Sequence, residues 1–446
     1  MLSKSLISLF ITFFCTQIWA DAFLDSHLKE QMSTQGDAEI PVLLVFKSKP
    51  STQYLKTYSD KIEFFQSSLL DHIEGLKQKM QWAKDKPLER LWIVNGVLVK
   101  LNAAQIQQVK KLKAVKGLYY SHRQLQLQKQ EHELHLPQRQ QYTYGLKKLN
   151  VEKLRELYPD FNGQGIRVGI IDTGLNPSHP DLKGKMIAYK DFSPNPTAKP
   201  GDGFNHGTHV AGTIAGGDQS GLAIGIAPEA SLVIARIFGR NGSSSIANIL
   251  KSMQWMADPD GDPSTKDFAQ VVNNSWSDDE PYNDRMPEDE PFCHAITNWL
   301  QLGIIPVFSA GNSGPKDGTI NLPGGCPAAF AVGATEHNDR SPHFSSTGPA
   351  VWRDIEINKP DVSAPGFKII SASADGGYKK MSGTSMAAPH VTGAFAILLQ
   401  AYPNQEPTNL MRAMSAGVID LGEPGRDKIF GEGRVDLLKS IQILTH

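Results

Sequence analysis

Ile166-Arg-Val-Gly-Ile-Ile-Asp172, followed by Thr173-Gly174, decides the fold. A run of branched apolar residues closed by an aspartate and a turn-forming glycine reads as a buried strand. Four downstream segments share that character: Ser231–Phe238, Gln270–Asn274, Ile304–Ser309 and Ala329–Ala334. Helices are expected to begin near His206, Ser244, Pro291 and Ser385, with others near the C-terminus. Strands alternating with helices imply an α/β domain with a mostly parallel sheet over residues 144–446. The chain has no internal repeat at a fixed period.

Ahead of this domain, residues 21–130 read as a small α+β unit. Pro41-Val-Leu-Leu-Val-Phe46 suits a buried strand, and Ile62, Phe65, Leu69, Ile73, Leu76 and Met80 recur at helical steps. Leu91 to Leu101 contains Asn95-Gly96 and folds either as two strands around a turn or as one bulged strand. Ile106, Val109 and Leu112 mark a second helix, and Gly117-Leu-Tyr-Tyr120 a last strand. The order β-α-β-(β)-α-β predicts a ferredoxin-like unit. Residues 121–143, rich in Gln, His and Arg and poor in core-forming residues, read as an exposed linker, with the processing linker proper at 131–143.

At the N-terminus, Lys4, an apolar run from Leu6 to Phe14 and small Ala20 have the layout of a secretory signal peptide over residues 1–20, too short for a membrane span. The remaining chain is expected to be soluble after export. Of three cysteines, Cys15 leaves with the signal. Cys293 and Cys326 remain, either as a disulfide, which an oxidising compartment favours, or as two buried thiols. With 40% hydrophobic and 20% charged residues the chain is an ordinary globular protein. A formal net charge of −1 gives no general attraction to nucleic acid or to a membrane.

Three segments carry the chemistry. Serine is a weak nucleophile that needs a histidine to take its proton and a third group to orient that histidine. Ile170-Ile-Asp-Thr-Gly174 puts an aspartate at the carboxyl end of a strand. His206-Gly-Thr-His-Val-Ala-Gly212 starts a helix with small residues, and Ser382-Gly-Thr-Ser-Met-Ala-Ala-Pro-His390 places Ser385 at the entrance of an apolar helix, where the helix dipole favours negative charge. Each alone has a plain structural reading as a turn, a cap or a loop. Their joint occurrence in this order is what carries the argument.

On these boxes the chain resembles the subtilisin-like serine proteases, from about residue 40 to its end. The resemblance implies a three-layer α/β/α catalytic domain and a secreted serine endopeptidase acting on polypeptides through an acyl-enzyme, as a monomer and without a catalytic cofactor. It assigns Ser385 as nucleophile, His206 as base and then acid, and Asp172 as its orienter. Asn312, in Ser309-Ala-Gly-Asn-Ser-Gly314, matches the oxyanion donor beside the Ser385 N–H. Val271-Val-Asn-Asn-Ser-Trp-Ser277 resembles the strand that pairs with substrate backbone, through Ser275, Trp276 and Ser277. Ser277 stands where many relatives have Gly. Ser309, Ala310, Gly311 and Asn321 fall where the P1 pocket is built. Residues 41–120 resemble a propeptide that chaperones folding and inhibits the enzyme until self-cleavage, expected around residues 136–142.

Calcium is the one ion the pattern suggests. Asp258, Asp260 and Asp262 form either an oxygen-rich site or a solvated acidic turn, and Asp181 matches a position that binds calcium in many relatives. His206 and His209 are three apart, but the chain lacks His-Glu-x-x-His, so His209 and His390 read as packing residues and not as zinc ligands. Asp278 to Glu290 holds seven acidic residues and Arg285; it either overhangs the cleft and favours basic substrates or is a solvated loop. The competing functional readings are a binding scaffold on a decayed protease fold and a processing protease with few targets.

Overall fold

The computed structural model describes residues 21–47, 52, 54–134, 136 and 141–445. The expected signal peptide, and residues 137–140 of the region expected to be cut, lie outside them.

The N-terminal unit runs β1 (Phe23–Leu24), α1 (Ser26–Thr34), β2 (Ile40–Phe46), α2 (Tyr58–Lys79), β3 (Glu89–Leu91), β4 (Gly96–Leu101), α3 (Ala103–Lys110) and β5 (Val115–Tyr120). Its sheet has the order β1-β5-β2-β4-β3, with β2 antiparallel to both β4 and β5. From β2 onward the element order is β-α-β-β-α-β, preceded by one extra strand and helix. Trp92–Val94 forms a 3-10 turn that ends on Asn95, at φ 50°, so the expected stretch 91–101 holds only the last residue of β3 and the whole of β4. α2 opens on a reciprocal cap between Thr57 and Asp60 and buries Ile62, Phe65, Leu69, Ile73 and Leu76 along one face.

Two short strands follow, β6 (Gln124–Gln126) and β7 (Gln130–His132), then α4 (Tyr144–Lys148) and α5 (Val151–Leu157). The α/β unit continues with β8 (Arg167–Asp172), β9 (Met186–Asp191), α6 (Gly207–Ala215), β10 (Ser231–Arg236), β11 (Ser243–Ser245), α7 (Ile246–Ala257) and β12 (Val271–Asn274). Next come α8 (Pro291–Gln301), β13 (Ile305–Ser309), β14 (Phe330–Thr335), the hairpin β15 (Ala350–Val351) and β16 (Glu356–Ile357), and β17 (Val362–Pro365). The chain closes with β18 (Ile369–Ala372), β19 (Tyr378–Ser382), α9 (Thr384–Ala401), α10 (Pro407–Ala416), β20 (Val418–Ile419), β21 (Arg434–Val435) and α11 (Leu437–Thr445).

The main sheet has nine strands in the order β20-β21-β17-β14-β13-β12-β8-β10-β9, parallel except where β20 meets β21. Alternate residues of each strand feed opposite cores. Val168, Ile170, Leu232, Ile234 and Val307 pack with residues of α6 and α9. Ile171, Val233, Ala235, Val272 and Phe308 pack with residues of α7 and α8. Helices on both faces of a parallel sheet make the three-layer α/β/α sandwich.

The second of these cores does not stop at α7 and α8. It continues through Trp255, Phe292 and Trp299 into Phe65, Trp92 and Ile93 of the N-terminal unit. Asn298 Nδ2 donates to the Ile93 carbonyl at 2.8 Å and Lys61 Nζ to the Gln301 carbonyl at 2.7 Å across the same seam. Cys293 of α8 is disulfide-bonded to Cys326, which closes the alternative of two free thiols. Among the described residues no helix is long and apolar enough to cross a membrane.

Candidate active site

Asp172 is the last residue of β8, at the carboxyl end of the parallel sheet, where open α/β sheets leave room for a site. His206 immediately precedes α6. Its Nδ1 lies 2.9 and 3.0 Å from the two carboxylate oxygens of Asp172, and both side chains are buried. Nδ1 therefore carries the proton, and the opposite nitrogen, Nε2, is buried with no hydrogen-bond partner among the described residues. That atom is where a nucleophile's proton can go.

The approach of strand end and helix start depends on Gly207, since a β-carbon there would sit 2.2 Å from the Gly174 carbonyl oxygen. Asp202, which the sequence reading missed, ties the two together. Its Oδ1 accepts from the Thr173 hydroxyl at 2.8 Å, and its Oδ2 from the backbone N–H and hydroxyl of Thr208, both at 2.8 Å. The signal was available: an aspartate just ahead of a helix start, with acceptor oxygens for the unpaired N–H groups of the first turn.

Ser385 is the second residue of α9, and its carbonyl accepts from the Ser275 hydroxyl at 2.7 Å. Asn312 follows β13. Its Oδ1 is held by the Thr384 N–H at 2.9 Å and the Thr384 hydroxyl at 3.0 Å, which leaves Nδ2 to donate. A β-carbon built on Gly383 would lie 3.6 Å from both Asn312 Nδ2 and Ser385 N. The two N–H donors thus converge beside the helix N-terminus, an arrangement that can hold a developing oxyanion.

The expected pocket residues are knit together around these groups. Ser309 Oγ donates to the Trp276 carbonyl at 3.2 Å, Asn321 N to the Ala310 carbonyl at 3.0 Å, and Gly311 N to the Thr384 hydroxyl at 3.2 Å. Asn321 Oδ1 accepts from the hydroxyls of Ser313 and Ser346 at 3.0 and 3.3 Å. Ser277 is partly exposed. The Trp276 indole packs in the core against Phe292 and Phe308, which leaves its backbone as the part available to a bound peptide.

The cleft is spanned by the chain itself. β6 pairs antiparallel with β11, Leu127 N donates to the Gly242 carbonyl at 2.8 Å, and β7 pairs antiparallel with β19, Gln130 opposite Ser382. Ser121, Arg123, Leu125 and Leu127 are buried, while His122, Gln124, Gln126 and Gln128 are exposed. This part of the expected linker is therefore a strand laid across the site. The alternating pattern in 121–128 was the missed signal.

The remaining candidates divide. His209 Nε2 lies 3.1 and 3.2 Å from the carbonyls of Ile369 and Lys379, and burial, then His206, push its pKa down to about 3. His390 Nδ1 meets the Met386 carbonyl at 2.8 Å, with its pKa pushed down to about 4 by burial. Both are neutral packing groups. The carboxylate of Asp181 accepts from Gln219 N and from the Tyr378 hydroxyl, each at 2.8 Å, one donor per oxygen. Asp258 and Asp260 come together with Asp267, not with Asp262, their carboxylate oxygens lying within 4.8 Å of one another. Asp262 turns away because its Oδ1 accepts from the N–H and hydroxyl of Ser264 at 3.0 and 2.7 Å. Asp258 Oδ1 is buried without a partner among the described residues, and burial, then Asp267 and Asp260, push its pKa up to about 6. The chemistry of this donor set fits a hard dication. The acidic stretch 278–290 is not a solvated loop throughout: Asp278 pairs with Arg123 and Glu290 with Arg285, all four side chains being buried.

Residues 163–433 match the family described as Peptidase_S8, the subtilase family. The chain is 33% identical over 302 residues to serine protease AprX of Bacillus subtilis (strain 168), covering 63% of this chain and 66% of that protein. It is 33% identical over 313 residues to bacillopeptidase F of the same organism, covering 64% of this chain and 21% of that one. With subtilisin DY of Bacillus licheniformis the identity is 30% over 305 residues, 68% of this chain and 100% of the relative. The first two relatives are thus spanned for less than two thirds of their own length.

Proposed function

The chain belongs to the subtilase family, and from that membership and the geometry above we propose that it is a secreted serine endopeptidase, monomeric, that matures by cutting its own chain. The observation that carries the reading is His206, with Nδ1 bracketed by the Asp172 carboxylate and a buried Nε2 left free to take a proton. Ser385 Oγ attacks the peptide carbonyl carbon as its proton passes to Nε2. Asp172 stabilises the imidazolium so formed, and Asn312 Nδ2 with Ser385 N stabilises the oxyanion. Collapse breaks the C–N bond as His206 returns the proton to the leaving amine, giving the acyl-enzyme. Water, deprotonated by His206, then repeats the attack and releases Ser385.

The N-terminal unit acts in this reading as a propeptide, which its strand across the cleft supports. Leu127 directs its N–H to Gly242, so the alternation of an extended strand turns the Gln128 carbonyl to the opposite side. The first cut is accordingly Gln128–Lys129, upstream of the region 136–142, where later trimming would fall. The signal-like N-terminus and the disulfide support export. Asp258, Asp260 and Asp267 would hold a structural calcium, neutralising their mutual repulsion, with no part in the chemistry.

The test is to express the chain from Asp21 beside its Ser385→Ala variant and follow mass and N-terminal sequence. The parent should shorten to a terminus at Lys129 or beyond and then digest casein, while the variant stays intact. A folded parent that neither shortens nor digests casein would refute the reading.

A further inference from the structure

The strand across the cleft carries a charged residue into it. Arg123 shares the buried face of that strand with Leu125 and Leu127, and its side chain is 6% exposed. Its Nη1 meets Asp278 Oδ1 at 2.8 Å and its Nη2 meets Asp278 Oδ2, so both carboxylate oxygens engage the fork of one guanidinium. Asp278 directly follows Ser277, and its backbone N donates to the Leu322 carbonyl at 2.7 Å, beside Asn321. The carboxylate is thereby fixed in the wall of the cleft, 4% exposed.

We infer that Asp278 is a specificity-determining residue, reading an arginine on the acyl side of the cleaved bond in the substrates of the mature enzyme. The inference rests on the protease reading above and extends it to substrate choice. When the N-terminal strand leaves, Asp278 keeps one donor among the described residues, Glu280 N at 3.2 Å from Oδ1. The departure uncovers the carboxylate in the cleft wall without a counter-charge, because neighbouring Arg285 is already committed to Glu290 at 2.8 Å. A substrate threading the same register supplies the missing cation: an arginine two residues before an apolar residue seated as Leu125 is, and four before one seated as Leu127 is. The bidentate contact selects arginine over lysine, whose ammonium is a single point charge.

The experiment uses matured wild-type enzyme and a quenched fluorogenic peptide with the sequence of residues 121–132, beside versions carrying Gln, Lys or Glu in place of its arginine. Replacing arginine by glutamine should lower kcat/KM by about ten- to a hundredfold, mostly through KM, the size of a hydrogen-bonded charge pair. Lysine should fall between, and glutamate should be worst. In the Asp278→Asn enzyme the arginine preference should shrink to about threefold or less. Asp284→Asn, in the same acidic stretch but 73% exposed, should retain the full preference. Equal cleavage of the arginine and glutamine peptides by wild type overturns the proposal, and needs no variant to fold. So does a preference that survives in Asp278→Asn, or one lost equally in Asp284→Asn. Cleavage of none of the peptides overturns the protease reading itself, and this proposal with it.

Discussion

Replacing Asp172 by alanine tests the electrostatics of the site. In the proposed transition state His206 becomes an imidazolium with a carboxylate 2.9 Å from Nδ1, and both groups are shielded from water. At that separation and an effective dielectric of about 20, the attraction is about 5–6 kcal/mol, or roughly four orders of magnitude in rate. Asp172→Ala should therefore slow self-cleavage of the chain starting at Asp21 by about 10⁴, as read by the appearance of the new N-terminus over time. The rate should not depend on protein concentration, because nucleophile and bond belong to one chain. Asp172→Asn sharpens the test. Thr173 N, 2.7 Å from Asp172 Oδ1, would keep the amide oxygen in place near Nδ1, preserving orientation while removing charge. Its loss should be large but no larger than that of alanine. A folded Asp172→Ala chain that cleaves itself at more than about a tenth of the parental rate would refute the assignment.

Asn312→Ala should lower kcat by about 10²–10³ with little change in KM, because it removes one donor that acts only on the oxyanion; steady-state kinetics on a peptide decides this. Removing the Cys293–Cys326 bridge by a double alanine substitution frees a loop closed across a sequence separation of 33 residues and should cost about 2–4 kcal/mol in urea unfolding. His390 is held near 4 in the folded chain against an ordinary 6.5, so on acidification the unfolded chain takes up its proton first. Stability is therefore lost as pH falls from about 6.5 to about 4, by about 3 kcal/mol in all, and His390→Gln should take about one proton out of the slope of unfolding free energy against pH. Calcium should raise the thermal midpoint of the parent and leave that of Asp267→Asn unchanged, whereas Asp262→Asn should respond like the parent.

What could be read from the residues followed the range of the interaction. β8, β10, β13 and β14 are largely apolar runs, so their positions and the α/β class were legible from local composition. The triad and Asn312 sit in short boxes whose flanking glycines and threonines are themselves part of the geometry. Asp202 escaped because an aspartate ahead of a helix start is a weak local signal; only the meeting of Thr173 and Thr208 gives it a role. The alternation around 124–126 is a weak signal too, its apolar members being Leu125 and Leu127, and its partner β11 lies more than a hundred residues away. Asp267 was passed over because it lies outside the alternating Asp-Pro-Asp-Gly-Asp run, whereas Asp262 within that run is engaged by the N–H and hydroxyl of Ser264.

The core that passes unbroken from Phe65 and Trp92 into Trp255, Phe292 and Trp299 sets the kinetics of activation under the proposed function. Scission of one peptide bond removes none of that contact, so the severed fragment remains a tight ligand of the enzyme it came from. Catalytic onset then depends on clearance of the fragment, not on the cut. A concentrated population stays silent after every molecule has been processed, until one active site empties and destroys its neighbours' inhibitors. Activity should accordingly appear after a lag and then abruptly, and a trace of mature enzyme should abolish the lag.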